Sequence, residues 1–210
     1  MNREQQLLLW ADELRALCNN GLIFVKSSYD QENYERIRQI AAEMIAASSD
    51  LTVHESQEQL TSLFGHYTPL VMGDAHVINE QGEMLLMQRS DSGLWATPGG
   101  AFNVGETPTE GVTRECLEET GWLIKPTQLI GIYDSRLVET RTGNHVYHLS
   151  FLCEPIEQVT ANASHAAETL NTGWFAQDYL PPLHVGHRIW VPHGFRMWSD
   201  KSVAAVIYSE

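Results

Sequence analysis

The sequence predicts an α/β domain preceded by a small all-helical N-terminal domain, and three observations carry that reading. Apolar residues recur at three- and four-residue steps through residues 1–66, the period of an amphipathic helix. From residue 67 onward the pattern turns to short apolar runs parted by Gly, Pro and Asn, as in strands and turns. Within that second region one segment, 107–120, returns to helical spacing. The expected division is a helical domain over 1–66 and an α/β domain with a C-terminal tail over 67–210.

Taking the elements in order, Leu7, Trp10, Leu14 and Leu17 form one stripe, and Gly21 follows where a helix should stop. A second stripe runs through Tyr34, Ile37, Ile40, Ala41, Met44 and Ile45. Thr52 and Glu55 have capping-box spacing and predict a third helix, with Leu60, Leu63 and Phe64 on its apolar side. About 60 residues of short helices make only a marginal core alone, so the leader should pack on the rest of the chain or on a second subunit. LVMGDAHVI and EMLLMQR then read as strands joined by the turn NEQG. A Gly- and Pro-rich loop covers 90–106, and the helix over 107–120 closes at Gly121. Further strands are expected in WLIKPTQLIGIYDSRLV and HVYHLSFLCEP, parted by RTGN at 141–144. GWFAQDYLPPL (173–183) reads as a final strand entering a Pro-terminated loop, and the aromatic, histidine-bearing tail from 184 carries no clear element.

Composition limits the function. With 210 residues and 43% hydrophobic side chains the chain has material for a core, which excludes general disorder. Thirteen Lys and Arg against 27 Asp and Glu give a net charge of -14. That balance argues against duplex nucleic acid and anionic membrane surfaces as partners, because both need clustered cations. It leaves open a small phosphate-bearing substrate held through divalent metal. Cys18, Cys116 and Cys153 are too few and scattered for a disulfide framework or zinc cluster. No signal-peptide pattern and no apolar run near the roughly 18 residues of a membrane span is present. A soluble, cytoplasmic protein is expected.

The chemistry concentrates in GAFNVGETPTEGVTRECLEETGW (100–122). On the expected helix, Glu115, Glu118 and Glu119 fall at i, i+3 and i+4, so three like charges share one face. Repulsion at that spacing disfavours the helix, whereas clustered hard oxygen ligands suit Mg²⁺ or Mn²⁺ bridged to phosphate. The helix start near Thr107 and the Gly99–Gly100 backbone would lie close by.

This segment resembles the Nudix signature, G-x5-E-x7-R-E-U-x-E-E-x-G-U. Gly100, Glu106, Arg114, Glu115, Glu118, Glu119 and Gly121 all match, while the two aliphatic positions hold Cys116 and Trp122. LWATPGG also looks like the family's approach to the box, and the resemblance covers about residues 67–182. It implies an α/β/α sandwich with a mixed sheet and metal-dependent hydrolysis of a nucleoside diphosphate linked to another moiety, X. By the same resemblance Glu115 and Glu119 are the principal metal ligands, Glu118 is a further ligand or water-orienting group, and the Gly99 carbonyl completes the metal shell. Arg114 and Glu106 pair to hold the loop against the helix. Glu168, in AAETLNTGWF, stands where many relatives carry an extra catalytic or metal-binding Glu; the alternative is a surface carboxylate. Arg89 and Arg136 are candidate phosphate contacts, each set against the reading of an ordinary surface Arg.

The helical leader, WADELRALCNNGLIFVKSSYDQENYERIRQIAAEMI, is similar to the N-terminal domain of one Nudix group that hydrolyses ADP-ribose, CDP-choline and related compounds. It implies a homodimer and partial covering of the active site. The proline that marks ADP-ribose enzymes beyond the box is Arg136 here, so the X group stays open. Two other readings compete. One is a MutT-like nucleoside triphosphate pyrophosphohydrolase, for which such a leader is unusual. The other is a non-catalytic Nudix-fold ligand sensor, against which the intact box and the acidic leader argue. His184, His187 and His193 read as ordinary surface residues, Cys116 as a small core residue, and Trp10 and Trp174 as core or interface. Tyr133 is a remote candidate for stacking on a base.

Overall fold

The computed structural model describes residues 3–57, 69–137, 146–159 and 168–208. The chain divides into two compact units, Met1–Thr68 with Asn103–Gly105, and Pro69–Phe102 with Glu106–Glu210.

The first unit is built on α1 (Arg3–Phe24) and α2 (Ser28–Ala47). They meet at small residues: Ala11, Ala41 and Ala42 form the buried centre, with Leu14, Met44 and Ile45 against it. Gly21 does not end α1, contrary to the expectation from sequence. It sits inside the helix because the Tyr34 ring needs its bare face: a Cβ there would run into Tyr34 Cζ. Much of the α1 stripe remains open, with Trp10 50% and Leu17 59% exposed. At Thr52 the capping box forms, the Thr52 N–H donating to Glu55 at 2.8 Å and the Glu55 N–H to Thr52 Oγ1 at 3.2 Å. Residues 53–57 are helical; Leu60, Leu63 and Phe64 lie outside the described residues.

The second unit carries the strands. A five-stranded mixed sheet has the order β4 (Gly99–Ala101), β1 (Leu70–Val77), β6 (Val146–Gln158), β5 (Trp122–Asp134) and β8 (Val206–Tyr208). β1 runs parallel to β6 and antiparallel to β4, and β5 runs antiparallel to β6 and parallel to β8. A three-stranded antiparallel sheet has the order β3 (Trp95–Ala96), β2 (Glu83–Arg89) and β7 (Thr169–Ala176). β1 and β2 are joined at the expected turn but belong to different sheets, with an isolated antiparallel bridge at Ile78–Met84 beside the turn. The strand at 173 begins earlier, at Thr169, and is not the last. The RTGN turn lies outside the described residues.

Two helices cover these strands, and the two-residue period of the strands explains why both faces are apolar. Ala75, Val77 and Leu85 pack with Val112 and Cys116 of α3 (Pro108–Thr120). The alternating Ile78, Met84 and Leu86 pack instead with Trp190, Val191, Phe195 and Met197 of α4 (His187–Ser199). The histidine-bearing tail, unassigned from sequence, is therefore a core helix followed by β8. No helix of the described residues is long and apolar enough to cross a membrane.

Candidate active site

α3 sets the site because both its ends are fixed by local chemistry. Thr107 is the N-cap and makes a reciprocal capping box with Glu110, with Pro108 at the first turn. Gly121 ends the helix in the left-handed region at φ 74°, where a side chain would cost about 1–2 kcal/mol. With Val112 and Cys116 pinned in the core, the helix register turns Glu115 and Glu119 toward β4. Both are nearly buried, at 9% and 8% exposure.

The Gly99–Gly100 pair admits those carboxylates. The Gly99 N–H donates to Glu119 Oε2 at 2.8 Å, and a Cβ on Gly100 would lie 2.7 Å from the Glu115 carboxyl carbon. Arg114 gathers the rest. Its Nε donates to Glu106 Oε1 at 2.5 Å and its Nη2 to Glu106 Oε2 at 3.0 Å. Nη1 donates to Glu115 at 2.8 Å and Glu118 at 3.1 Å, and Nη2 also reaches the Ala101 carbonyl at 3.1 Å. The bonds to Glu106, followed by those to Glu115, hold the guanidinium firmly protonated.

Glu119 has the opposite electrostatics. Burial pushes its carboxyl up to about 8, the Glu115 and Glu168 charges add to that, and the Gly99 amide and Arg89 oppose it. Arg89 and Glu168 share with Glu119, Met87, Ser90 and Asp91 a small cavity of about 190 Å³. The structure thus brings Arg89 and Glu168, candidates distant in sequence, to the box. Ser90 and Glu168 are joined through the backbone, the Ser90 N–H donating to the Glu168 carbonyl at 2.9 Å. Arg89 is also paired with Asp91 at 2.7 Å. Arg136 does not line this cavity; its exposed side chain is held by Asp134 at 2.5 Å.

Among the described residues no three His, Cys, Asp or Glu side chains stand ready as a cation cage, and Arg114 draws both Glu115 and Glu118 to itself. The donor set still fits a hard divalent ion. It is all oxygen, and the buried Glu119 faces like charges that a cation would relieve.

Sequence reasoning missed the polar groups behind this site. His187 is buried in α4, not on a surface loop, and its Nδ1 lies 3.2 Å from the Thr97 backbone nitrogen. Asp74 of β1 is buried and bonded to His148 Nδ1 at 2.9 Å. Tyr133 is fully buried, bonded to His193 at 2.8 Å, and so does not present its ring to a base. The signal available was the TPGG run before the box together with a histidine-rich tail, two features 90 residues apart in sequence.

Residues 72–194 match the NUDIX domain family. The chain belongs to the Nudix hydrolase family. Residues 5–64 match a second family, described as the UDP-X-like, N-terminal oligomerisation domain. The chain is 30% identical over 174 residues to YjhB of Bacillus subtilis (strain 168), named provisionally as an ADP-ribose pyrophosphatase, covering 82% of each chain. Among solved Nudix structures it is similar to a UDP-X diphosphatase, with 26% identity and a TM-score of 0.60 over 98% of this chain and 100% of that one. It is also similar to an ADP-ribose pyrophosphatase from Streptococcus suis 89-1591, with 27% identity and a TM-score of 0.55 over 67% and 98% of the two chains. The Nudix fold, with helices α1 and α2 preceding it, is therefore that of an enzyme family acting on phosphoanhydrides.

Proposed function

We propose that this enzyme hydrolyses the diphosphate bond of a nucleoside diphosphate-X compound, giving NMP and X-phosphate, with Mg²⁺ or Mn²⁺ as cofactor. ADP-ribose, CDP-choline and nucleotide sugars are the substrate class. The observation that carries this reading is the complete box folded around Gly99 and Gly100, with Glu119 buried beside them. Similarity to a UDP-X diphosphatase across 98% of the chain, leader included, favours this class over triphosphates.

In this mechanism Glu115, Glu118, Glu119 and the Gly99 carbonyl would hold the metal. A divalent ion bound there would withdraw charge from the diphosphate and acidify the attacking water. Arg114 and Glu106 keep the carboxylates in register. Arg89 offers its guanidinium to a phosphate oxygen across the cavity, and Glu168, in the same cavity, accepts the proton of the water. Arg136 would contact phosphate only by exchanging Asp134 for it. Water adds to one phosphorus as the bridging P–O bond breaks, and the leaving phosphate carries away the electron pair.

A phosphatase-coupled screen of ADP-ribose, CDP-choline, UDP-glucose and the common nucleoside triphosphates tests the assignment. The expected result is kcat/KM at least about 10-fold higher on diphosphate-X compounds, a difference of about 1.4 kcal/mol in transition-state binding. Preferred release of pyrophosphate from triphosphates would establish the MutT-like alternative, and binding without turnover the sensor. Hydrolysis in ¹⁸O-water identifies the phosphorus attacked.

The open stripe of Trp10 and Leu17 and the oligomerisation-domain match favour a homodimer formed through the leader. Sedimentation equilibrium is expected to give twice the chain mass; a monomer across the micromolar range would sink the dimer.

A further inference from the structure

Three successive residues of the turn before the box are fastened from three directions. The Thr97 backbone N–H points at His187 Nδ1 of α4, at 3.2 Å. The Pro98 carbonyl accepts from the Ala75 N–H of β1 at 2.8 Å. The Gly99 N–H donates to Glu119 of α3 at 2.8 Å. The strand leading in is also tied to the C-terminal segment: the Trp95 N–H donates to the Pro182 carbonyl at 3.0 Å, and the His184 N–H to the Trp95 carbonyl at 2.7 Å.

His187 is the hub of that brace. The Trp190 indole N–H reaches the same Nδ1 at 3.1 Å, and the Thr97 hydroxyl lies 3.0 Å from it. An amide N–H and an indole N–H only donate, so Nδ1 is an acceptor and the ring proton resides on Nε2. Burial pushes the ring down to about 3, which keeps it neutral and Nδ1 free to accept. A neutral, tautomer-fixed histidine with a single job of accepting is a rigid reference point for the backbone beside it.

We propose that His187 is a positioning residue, holding Thr97 so that the Gly99 amide two residues on fixes the carboxylate of Glu119. The functional part of the claim rests on the reading of Glu119 as a metal ligand. The histidine-bearing tail thereby gains a role: it braces the site from behind.

The test compares the wild type with His187→Leu, which keeps bulk but removes the acceptor, and His187→Asn, whose side-chain oxygen can take the place of Nδ1. Two readouts are used, amide hydrogen exchange at Thr97 and Gly99, and Mn²⁺ affinity by electron paramagnetic resonance of the free ion without substrate. For the Leu variant we expect faster exchange at both amides with α3 unchanged. We also expect Mn²⁺ binding to weaken about 10-fold, the lower end of the effect of losing a group that orients a metal ligand. The Asn variant should recover most of both. Unchanged exchange at Thr97 and Gly99, or equal impairment of Leu and Asn, overturns the proposal. If the wild type itself fails to bind Mn²⁺, the metal reading of Glu119 falls, and the exchange data alone decide the positioning claim. Should the Leu variant not fold, His187→Gln, whose amide reaches the Nε2 side, takes its place and must show the same losses.

Discussion

Replacing Glu119 by Gln is expected to lower kcat at least about 100-fold at saturating Mg²⁺, the scale lost when one group supporting the developing charge is removed. The same change should stabilise the metal-free protein at alkaline pH. Glu119 is buried, and its carboxyl is pushed from 4.5 to about 8, chiefly by burial. A folded value above the unfolded one means that the native state holds a proton the unfolded state releases. Its stability contribution is thus complete below about pH 4.5, declines as the pH rises, and is gone above about pH 8. Gln is neutral throughout and keeps an oxygen for the Gly99 N–H, so it avoids the loss. By thermal unfolding in EDTA, wild type and variant should match at about pH 4.5, while at about pH 9 the variant should be more stable by up to about 5 kcal/mol, seen as a higher unfolding midpoint. Adding Mg²⁺ should close the gap by stabilising the wild type alone. Equal pH profiles for the two proteins would show that Glu119 carries no such strain, and full turnover of the variant would remove it from the metal shell. Loss of activity with gain of stability is the pattern of a group retained for chemistry.

Arg114→Ala should have the largest effect on stability. One guanidinium serves Glu106, Glu115, Glu118 and the Ala101 carbonyl. Its removal would leave three carboxylates of 20%, 11% and 26% side-chain exposure facing one another. Breaking a fully buried pair costs about 3–5 kcal/mol; partial access to water reduces this to about 2–4 kcal/mol. Urea unfolding at neutral pH measures it, and a loss under about 0.5 kcal/mol would contradict the structure. Arg114→Lys should recover less than half, because an ammonium cannot grip Glu106 through two parallel N–H bonds while also spanning Glu115 and Glu118. Mg²⁺ should narrow the deficit of the Ala variant, since two of the exposed carboxylates are candidate ligands.

The helix bearing the box was legible because its signals are local. Glutamates at i, i+3 and i+4 share a face by helix geometry alone, and Gly121 marks the end whatever surrounds it. The mixed sheet around it followed from family resemblance, and the helical leader from apolar spacing. The features that escaped depend on partners distant in sequence. Gly21 resembles a helix stop until Tyr34 is seen against it. The segment from 187 contains Pro192 and Gly194, which argue against a helix, yet Trp190, Val191, Phe195 and Met197 find a sheet face to bury them. His187 looked like a surface residue because neither Thr97 nor Trp190 announces itself as a partner. Arg89 and Arg136 were equivalent on sequence grounds, and only the fold separates them: one lines the cavity with Glu119, the other is held by Asp134.

The bond between Thr97 and His187 spans 90 residues, and β8, later still in the sequence, completes the sheet beside β5. Contacts this distant close late, after the chain entropy of the long intervening loop has been overcome. The end signals of the box helix, Thr107 and Gly121, are by contrast close neighbours in sequence and need no distant partner. The turn carrying Gly99 acquires its brace only when the C-terminal helix docks. An unfinished chain would then carry the acidic helix without its braced carboxylate cradle, and competence for metal would be among the last properties the folding protein acquires.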